Sequence, residues 1–272
     1  MRELLRFLGS ELRLIAGRRR NQVGMLVLMA PPVLVTIATK VSGHDRGGGG
    51  DAFFSRIAEN GIFVAFAALT VEIGLFLPMG VAMVSGDAIA GEAQQGTLRY
   101  LLTVPVGRVR LLAVKYVAVV IGAVVAAFAV SVTGVVAGGV VFGVGPLTTL
   151  SGTRISLADG LWRLLLSTLY VAAGLAALAA VGVFVSTLTE QPIAVTVVGM
   201  VFTAGSWIAD AIPQLSAVHP WLLVDRWNSF ADLMRDPPLV STIGTGLLVD
   251  AGYAVVFLLA AWASFAGKDI TS

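Results

Sequence analysis

The chain has no cysteine and only two histidines, and these absences restrict its chemistry. Without cysteine it has no disulfides, no thiolate metal ligands and no cysteine nucleophile. His44 and His219 have no ligand-like spacing, so we expect no metal site. The sequence also lacks a Gly-x-x-x-x-Gly-Lys-Ser/Thr phosphate loop, a Gly-x-Ser-x-Gly elbow and a His-Glu-x-x-His helix. We therefore expect a non-catalytic chain that binds no cofactor of its own.

Charged residues are scarce as well. They make up 12% of the 272 residues, whereas soluble globular proteins have about 25%. Hydrophobic residues make up 57% and the mean hydropathy is +0.90, which excludes an ordinary soluble domain. The sequence predicts an all-α, multi-pass membrane protein formed by one domain over residues 1–272. Apolar runs near the roughly 20 residues that cross a bilayer predict six transmembrane helices, at residues 22–41, 62–84, 111–142, 161–185, 192–212 and 239–265.

Residues 1–20 are predicted to form an amphipathic helix rather than a span. One face of that helix is apolar and carries Leu4, Leu5, Leu8, Leu12 and Ile15. The opposite face is basic and carries Arg2, Arg6 and Arg13. Such a helix lies in the membrane interface with its arginines towards anionic headgroups. The alternative is the charged region of an export signal, but the apolar run that follows reaches Thr39 without an Ala-x-Ala cleavage site.

The distribution of lysine and arginine predicts the orientation. With the N-terminus inside, the cytoplasmic flanks and loops hold more of them than the outer ones, most steeply at residues 18–20 before the first span. We therefore expect a plasma-membrane protein with both termini in the cytoplasm. On the outer side we expect short interfacial helices in residues 213–238, with Trp207, Trp221 and Trp227 at headgroup level.

Proline and glycine predict local helix geometry within the spans. Pro31-Pro32 and Pro78 are expected to kink the first and second spans, because proline removes a backbone donor. The pairs Gly134-x-x-x-Gly138 and Gly139-x-x-x-Gly143 fit the small-residue pattern that lets helices approach closely. We assign these pairs to helix packing.

A dense polar segment, residues 86–110, separates the second span from the third. The second helix is expected to continue to Gln95 and end at Gly96, which tolerates the left-handed backbone of a helix C-cap. Thr97 is a suitable N-cap for a new short helix over residues 98–103, and Pro105 ends it. The exposed Leu and Tyr side chains of this short helix are suited to contact another protein.

The spacing of particular residues in this segment is informative. They are Gly91-Glu92, Gly96-Thr97-Leu98, Leu101-Leu102, Pro105-Val106, Arg108 and Lys115. This spacing, with the six-span layout, resembles the cytoplasmic coupling loop of ABC-2-type transporter permeases, the membrane subunits of type V exporter-like ABC transporters. The chain departs from that pattern at Gln94, where a second acid is common, and at Gly107, where serine is common.

The resemblance implies a membrane-embedded subunit that pairs with a second permease copy, as a homodimer or a heterodimer. It also implies a separate ABC ATPase subunit that holds ATP and Mg. The cargo would be a hydrophobic or amphipathic small molecule such as a drug, antibiotic or lipid, usually exported, although import stays open; we expect no nucleic-acid partner. By the same resemblance, the ATPase-coupling residues would be Glu92, Gly96, Thr97, Leu98, Arg99, Tyr100, Leu101, Leu102, Pro105 and Arg108. The interfacial helix with Arg2, Arg6 and Arg13 would move with them.

Two acids fall inside predicted spans, Glu72 in the second and Asp250 in the sixth. Intramembrane acids are costly and by default indicate a functional site. One hypothesis is that they face a central cavity and contact the substrate. The other is that they are protonated, or hydrogen-bonded to Thr70, Tyr253 or Thr245, and only join helices. Two alternative functions would use the same acids, an intramembrane lipid-modifying enzyme and a proton-driven carrier.

Overall fold

A computed structural model describes residues 2–42, 60–96 and 107–266 of the chain. In these ranges the helices are α1 (Arg2–Gly17), α2 (Arg19–Ser42), α3 (Ile62–Gly74), α4 (Phe76–Ala88), α5 (Ala90–Gln94), α6 (Arg108–Phe142), α7 (Leu157–Leu188), α8 (Pro192–Asp210) and α9 (Val240–Ala266). Between α8 and α9 lie 3₁₀ helices at Pro213–Leu215, His219–Trp221 and Trp227–Met234. The prediction of a helical protein is therefore confirmed.

The long helices match the predicted spans in position. α2, α6, α7, α8 and α9 are each long and apolar enough to cross a membrane. α3 and α4 meet that criterion only together, with a bend of 53° between them. The described residues thus contain five candidate spans, or six when the bent pair counts as one. The crossing of the membrane by each of the six stays a prediction.

The second span is broken rather than kinked. The break is at Leu75, with φ −148° and ψ −58°, three residues before Pro78. Pro78 therefore lies in the first turn of α4, where the missing N–H of proline costs little because that turn has no acceptor for it. In contrast, α2 continues through Pro31 and Pro32 without interruption. Pro78 therefore correctly predicted a disturbed second span, but the break itself lies at Leu75, three residues before the proline.

α7 is the central helix of the bundle. In its apolar window 72% of the residues are buried, a larger share than in the other candidate spans of the described chain. It packs against α9, α6, α4 and α8, and α4 lies between α7 and α8. α2, α8 and α9 lie on the outside and expose apolar side chains such as Leu26, Val201 and Val256. These faces are suited to contact lipid or another chain.

Close packing between α3 and α6 depends on glycine. A Cβ atom added at Gly138 would lie 2.1 Å from the carbonyl oxygen of Gly61, and one at Gly134 would lie 2.6 Å from the Cα of Ala65. Backbone atoms of α3 and its N-cap therefore occupy the space that a side chain on α6 would need. The prediction that Gly134 and Gly138 serve helix packing is confirmed, and the partner helix is α3 of the same chain.

The connections beyond the membrane-embedded core contain more structure than the sequence predicted. Leu147–Thr148 (β1) and Arg154–Ile155 (β2) pair antiparallel within the otherwise helical fold, a detail that the sequence did not predict. Two-residue strands carry too few residues for a period-2 pattern. Short helices are present in 213–238 as predicted. Trp221 is 73% exposed, but Trp227 is 2% exposed and packs on Gly174, so it does not lie among headgroups.

Candidate functional site

The polar segment begins where α4 ends. α4 stops at Ala88, the chain bends at Ile89, and the one-turn helix α5 follows. Gly96, just beyond α5, has φ +68°, the left-handed conformation that glycine adopts without strain. The predicted helix end at Gly96 is confirmed, although the helix before it is divided in two.

Ser186 of α7 holds the bend between α4 and α5. The backbone N–H groups of Ile89 and Ala90 donate hydrogen bonds to its Oγ at 3.2 and 2.9 Å. The Ser186 hydroxyl donates in turn to the carbonyl oxygen of Gly86, at 3.3 Å. A helix break inside a protein leaves backbone donors that need an acceptor. A single side chain from the central helix therefore fixes the direction in which α5 leaves the bundle.

A buried cluster of three charged side chains joins α1, α5 and α6. Lys115 of α6 is 3% exposed, and its Nζ donates to Glu11 Oε2 of α1 at 2.8 Å. The same Nζ contacts Glu92 Oε1 of α5. Glu11 and Glu92 are 6% and 9% exposed. Three elements that are distant in sequence are thus tied to one ammonium group.

The cluster carries one cation and two anions. Burial raises the pKa of the Glu92 carboxyl above its usual value, while the neighbouring Lys115 ammonium lowers it and the Glu11 carboxylate raises it. Within the described residues, the Lys115 ammonium is the one buried cation that contacts both carboxylates. Removing it would leave buried negative charge without compensation.

A second group of ion pairs lies beside the first. Arg18 and Arg20, at the junction of α1 and α2, both contact Asp87 Oδ2 near the end of α4. The junction itself is capped by Asn21 and Gln22, whose side-chain amides donate to the carbonyl oxygens of Ile15 and Ala16 at 2.9 Å. Because both arginines are a third exposed or more, these pairs add little to stability. They connect the α1–α2 junction to the end of α4.

We name the six residues of both groups the α1–α5–α6 network: Glu11, Arg18, Arg20, Asp87, Glu92 and Lys115. Five of them, all but Arg20, line a cavity of about 20 Å³. That volume is enough for one water molecule, and the lining offers several polar partners. Nearby, Arg108 at the start of α6 donates to the carbonyl oxygen of Phe265 in α9, at 3.0 Å. The first turns of α6 are therefore tied to α1, α5 and the end of α9.

The comparison with known protein families agrees with the resemblance in the polar segment. The model of the ABC-2 family transporter proteins matches residues 18–206, which is well over half of the chain. The chain belongs to this family. A comparison with curated proteins finds no match. The matched range includes α2 to α7, most of α8 and most of the α1–α5–α6 network, so the geometry above is that of an ABC-2-type permease.

Part of the predicted coupling site of the permease lies outside the described residues. This part consists of Thr97, Leu98, Arg99, Tyr100, Leu101, Leu102 and Pro105. The short coupling helix therefore stays a prediction. α5 ends before that segment and α6 begins after it, so Glu92 and Lys115 of the network lie on the two helices that flank it.

The predicted polar face of α1 comprises Arg2, Arg6 and Arg13. Arg6 and Arg13 are exposed on α1, as expected for the polar face of an amphipathic helix, and Arg2 begins that helix. Leu4 and Leu5 are exposed as well, at 39% and 63%. The placement of this face in the membrane interface stays a prediction.

The two intramembrane acids of the permease are both buried. Glu72 is 0% exposed, and neither carboxylate oxygen has a hydrogen-bond partner within the described ranges. Asp250 is 7% exposed. The hydroxyls of Thr70, Thr245 and Tyr253 donate to backbone carbonyl oxygens instead. The hypothesis that these hydroxyls hold the acids is therefore not supported.

An aromatic groove lies between α8 and α9. Its volume is about 580 Å³, and its lining includes Phe202, Trp221, Tyr253 and Phe257. The rings of Tyr253 and Phe257 are stacked with centroids 5.9 Å apart, and Phe202 meets Tyr253 edge-on at 6.1 Å. Neither Glu72 nor Asp250 is part of this lining. The groove is apolar and large enough for a drug-sized molecule.

Sequence reasoning did not identify Glu11, Asp87 or Ser186 as site residues. The need of Glu11 for a partner could have been predicted from the sequence. On the helical wheel it lies at the edge of the apolar face, between Phe7 and Leu4, where a charge needs a partner. The role of Ser186 could not have been predicted, because it depends on a helix break almost 100 residues earlier. Lys115 was noted for its spacing, but its two carboxylate partners were not predicted.

Replacing Ser186 by alanine is expected to destabilise the permease by about 2 kcal/mol, because the N–H groups of Ile89 and Ala90 would be buried without an acceptor. The measurement is the unfolding temperature in detergent, together with amide hydrogen exchange of residues 86–94. Ser206→Ala is the matched control, since the Ser206 hydroxyl only donates to Phe202 in its own helix. Equal effects of the two substitutions would contradict the role of Ser186.

Proposed function

We propose that this permease is the membrane subunit of an ATP-driven transporter and that a separate ABC ATPase subunit hydrolyses ATP with Mg. The family match and the lack of a phosphate loop in the sequence support the assignment of ATP hydrolysis to a separate subunit. The ATPase would dock on the predicted coupling helix, residues 98–103, and on α1. A second copy of the permease would complete the transporter.

The observation that carries the proposal is the α1–α5–α6 network. An ATPase contact that displaces α1 or the segment after α5 acts on Lys115 through Glu11 or Glu92. Lys115 belongs to α6, a helix of 35 residues that extends across the bundle. Helices are stiff, so a displacement at one end of α6 is passed along its length. The network therefore connects the proposed docking surface with the membrane-embedded core.

The transported molecule is proposed to be hydrophobic or amphipathic, and its movement outward. The aromatic groove between α8 and α9 supports the first part, because apolar pockets of this size bind drug-sized ligands with flat or apolar surfaces. Outward movement is proposed from the resemblance to ABC exporters.

Co-expression with a candidate ATPase tests the proposal. The permease is expected to co-purify with the ATPase in a fixed ratio, and inside-out vesicles holding both are expected to accumulate an amphipathic dye only when ATP and Mg are added. A permease that purifies alone and accumulates the dye on a proton gradient, without any ATPase, would overturn the proposal.

The second candidate function is a proton-driven carrier, and the burial of Glu72 without a hydrogen-bond partner in the described ranges favours it. Under the ATP-driven proposal, Glu72→Gln and Asp250→Asn are expected to leave ATP-dependent dye transport unchanged, since neither acid lines the aromatic groove. The measurement is initial transport rate against the protein level in the vesicles. Loss of transport in either variant, with normal folding, would instead favour the carrier or a direct contact with substrate.

A further inference from the structure

A second groove of the permease lies between α2, α4 and α6. Its volume is about 300 Å³, and its walls are apolar, including Met25, Leu28, Phe76, Met79 and Met83. Methionine side chains are flexible and adapt to irregular apolar ligands. This groove is separate from the aromatic groove and shares no lining residue with it.

The groove exists because the second span is broken. α2 packs along α3, but at Leu75 the chain bends by 53° and α4 turns towards α7 and α8. In the half of α2 that follows Arg19, the side chains of Val23, Leu26 and Val27 are therefore left exposed. The bend lies three residues before Pro78, and α4 beyond it packs on α7 and α8, so the groove follows from the packing of the fold.

Glycines deepen the groove from all three sides. Gly24 of α2, Gly80 of α4 and Gly122 of α6 belong to its lining. A Cβ atom at Gly24 or Gly122 would meet nothing within 4 Å, and one at Gly80 would lie 4.0 Å from a Leu28 methyl group. These glycines thus leave open space, unlike Gly134 and Gly138, whose space is filled by α3.

One end of the groove is polar and basic. Arg20 and Asn21 line it there, and Arg18 and Arg19 are adjacent. Asp87 is the acid that pairs with Arg18 and Arg20, so positive charge is in excess at this end. From Arg20 to Leu28 the groove follows α2 for about 12 Å, at 1.5 Å per residue. That length lies within one leaflet, about half of a hydrocarbon core of roughly 30 Å.

We propose that this groove binds one acyl chain of an anionic phospholipid, with the headgroup beside Arg19 and Arg20. The apolar walls match the chain, and the excess positive charge matches the phosphate. Because Arg20 also contacts Asp87, the headgroup lies next to the α1–α5–α6 network. The lipid fills the gap that the broken span leaves between α2 and α4.

Photolabelling of the full-length permease in vesicles tests the proposal. The probes are phosphatidylglycerol and phosphatidylcholine with the same photoactivatable acyl chain, and labelled peptides are located by mass spectrometry. We expect labels in the groove segments of α2, α4 and α6, with a preference for phosphatidylglycerol of about fivefold, the value for one basic side chain at a membrane surface. Arg20→Gln is expected to reduce that preference and to keep labelling by phosphatidylcholine.

Gly80→Leu is the decisive variant, because its side chain fills the groove without meeting backbone. It is expected to abolish labelling of the groove by both lipids and to keep the unfolding temperature. Gly205→Leu is the matched control, since Gly205 of α8 also has open space but lies outside the groove. Unchanged labelling in Gly80→Leu would overturn the proposal.

A second chain is the other possible occupant of the groove, and the absence of native cysteine makes it testable. In Gly80→Cys, oxidation is expected to give no disulfide-linked dimer if lipid fills the groove. Efficient cross-linking between two copies through this single cysteine would instead identify the groove as a protein interface and contradict lipid binding.

Discussion

Replacing Lys115 by methionine is expected to destabilise the permease by about 3–5 kcal/mol, the cost of leaving buried charge without its partner. Lys115 is 3% exposed and is the shared partner of Glu11 and Glu92. Methionine fills a similar volume, so the loss reflects charge rather than packing. The expected result is a large fall in the unfolding temperature in detergent and a low yield of folded protein.

The relative sizes of the stability losses distinguish charge pairing among Glu11, Glu92 and Lys115 from simple packing. Glu11→Gln removes one of two carboxylates around a single ammonium and is expected to be mild, because a neutral Lys115–Glu92 pair remains. The triple variant Lys115→Met, Glu11→Gln, Glu92→Gln is expected to recover most of the stability that Lys115→Met loses, since no buried charge is left uncompensated. If Lys115→Met were as mild as Glu11→Gln, the account of the buried cluster would be wrong.

Gly138→Val is expected to be the second most harmful substitution, with a loss of about 3 kcal/mol or more. Its Cβ would lie 2.1 Å from the carbonyl oxygen of Gly61 and 2.7 Å from a methyl group of Val64. The backbone contact cannot be relieved by a rotamer change, so α3 and α6 must separate. Because α3 is the first half of the broken span, we also expect increased amide exchange in residues 62–74.

The control for Gly138→Val is Gly205→Val. Both glycines lie inside long helices, so the intrinsic cost of valine in a helix is the same for both. A Cβ at Gly205 meets nothing within 4 Å, and this variant is expected to unfold near the wild-type temperature. Similar losses in the two variants would show that helix propensity, and not the α3–α6 contact, decides the effect.

The sequence predicted the long helices well because each is an uninterrupted apolar run. The helix end at Gly96 and the packing role of Gly134 and Gly138 were predictable too, since glycine has few other uses at those places. The break at Leu75 was not, because Pro78 indicates a disturbed helix without deciding between a kink and a break. That choice depends on how α4 packs between α7 and α8.

The candidate site was predictable only where it is local in sequence. Glu92 and Arg108 stand out within one polar segment, and both lie at the same end of the bundle. Glu11 is 104 residues away from Lys115, and its pairing follows from the position of α1 against α6. Ser186 became relevant only once the bend at Ile89 was known. Long-range pairs of this kind require the fold.

Under the ATP-driven proposal, energy from the ATPase enters the permease through the α1–α5–α6 network. The most direct test is the number of dye molecules transported per ATP hydrolysed, in vesicles that hold the permease and its ATPase. The charge-neutral triple variant at Lys115, Glu11 and Glu92 keeps its fold in this account, so we expect it to bind the ATPase, hydrolyse ATP and transport severalfold fewer molecules per ATP. Arg235→Gln, which removes an exposed ion pair with Asp232, is expected to leave that ratio unchanged. A wild-type ratio in the triple variant would contradict the claim.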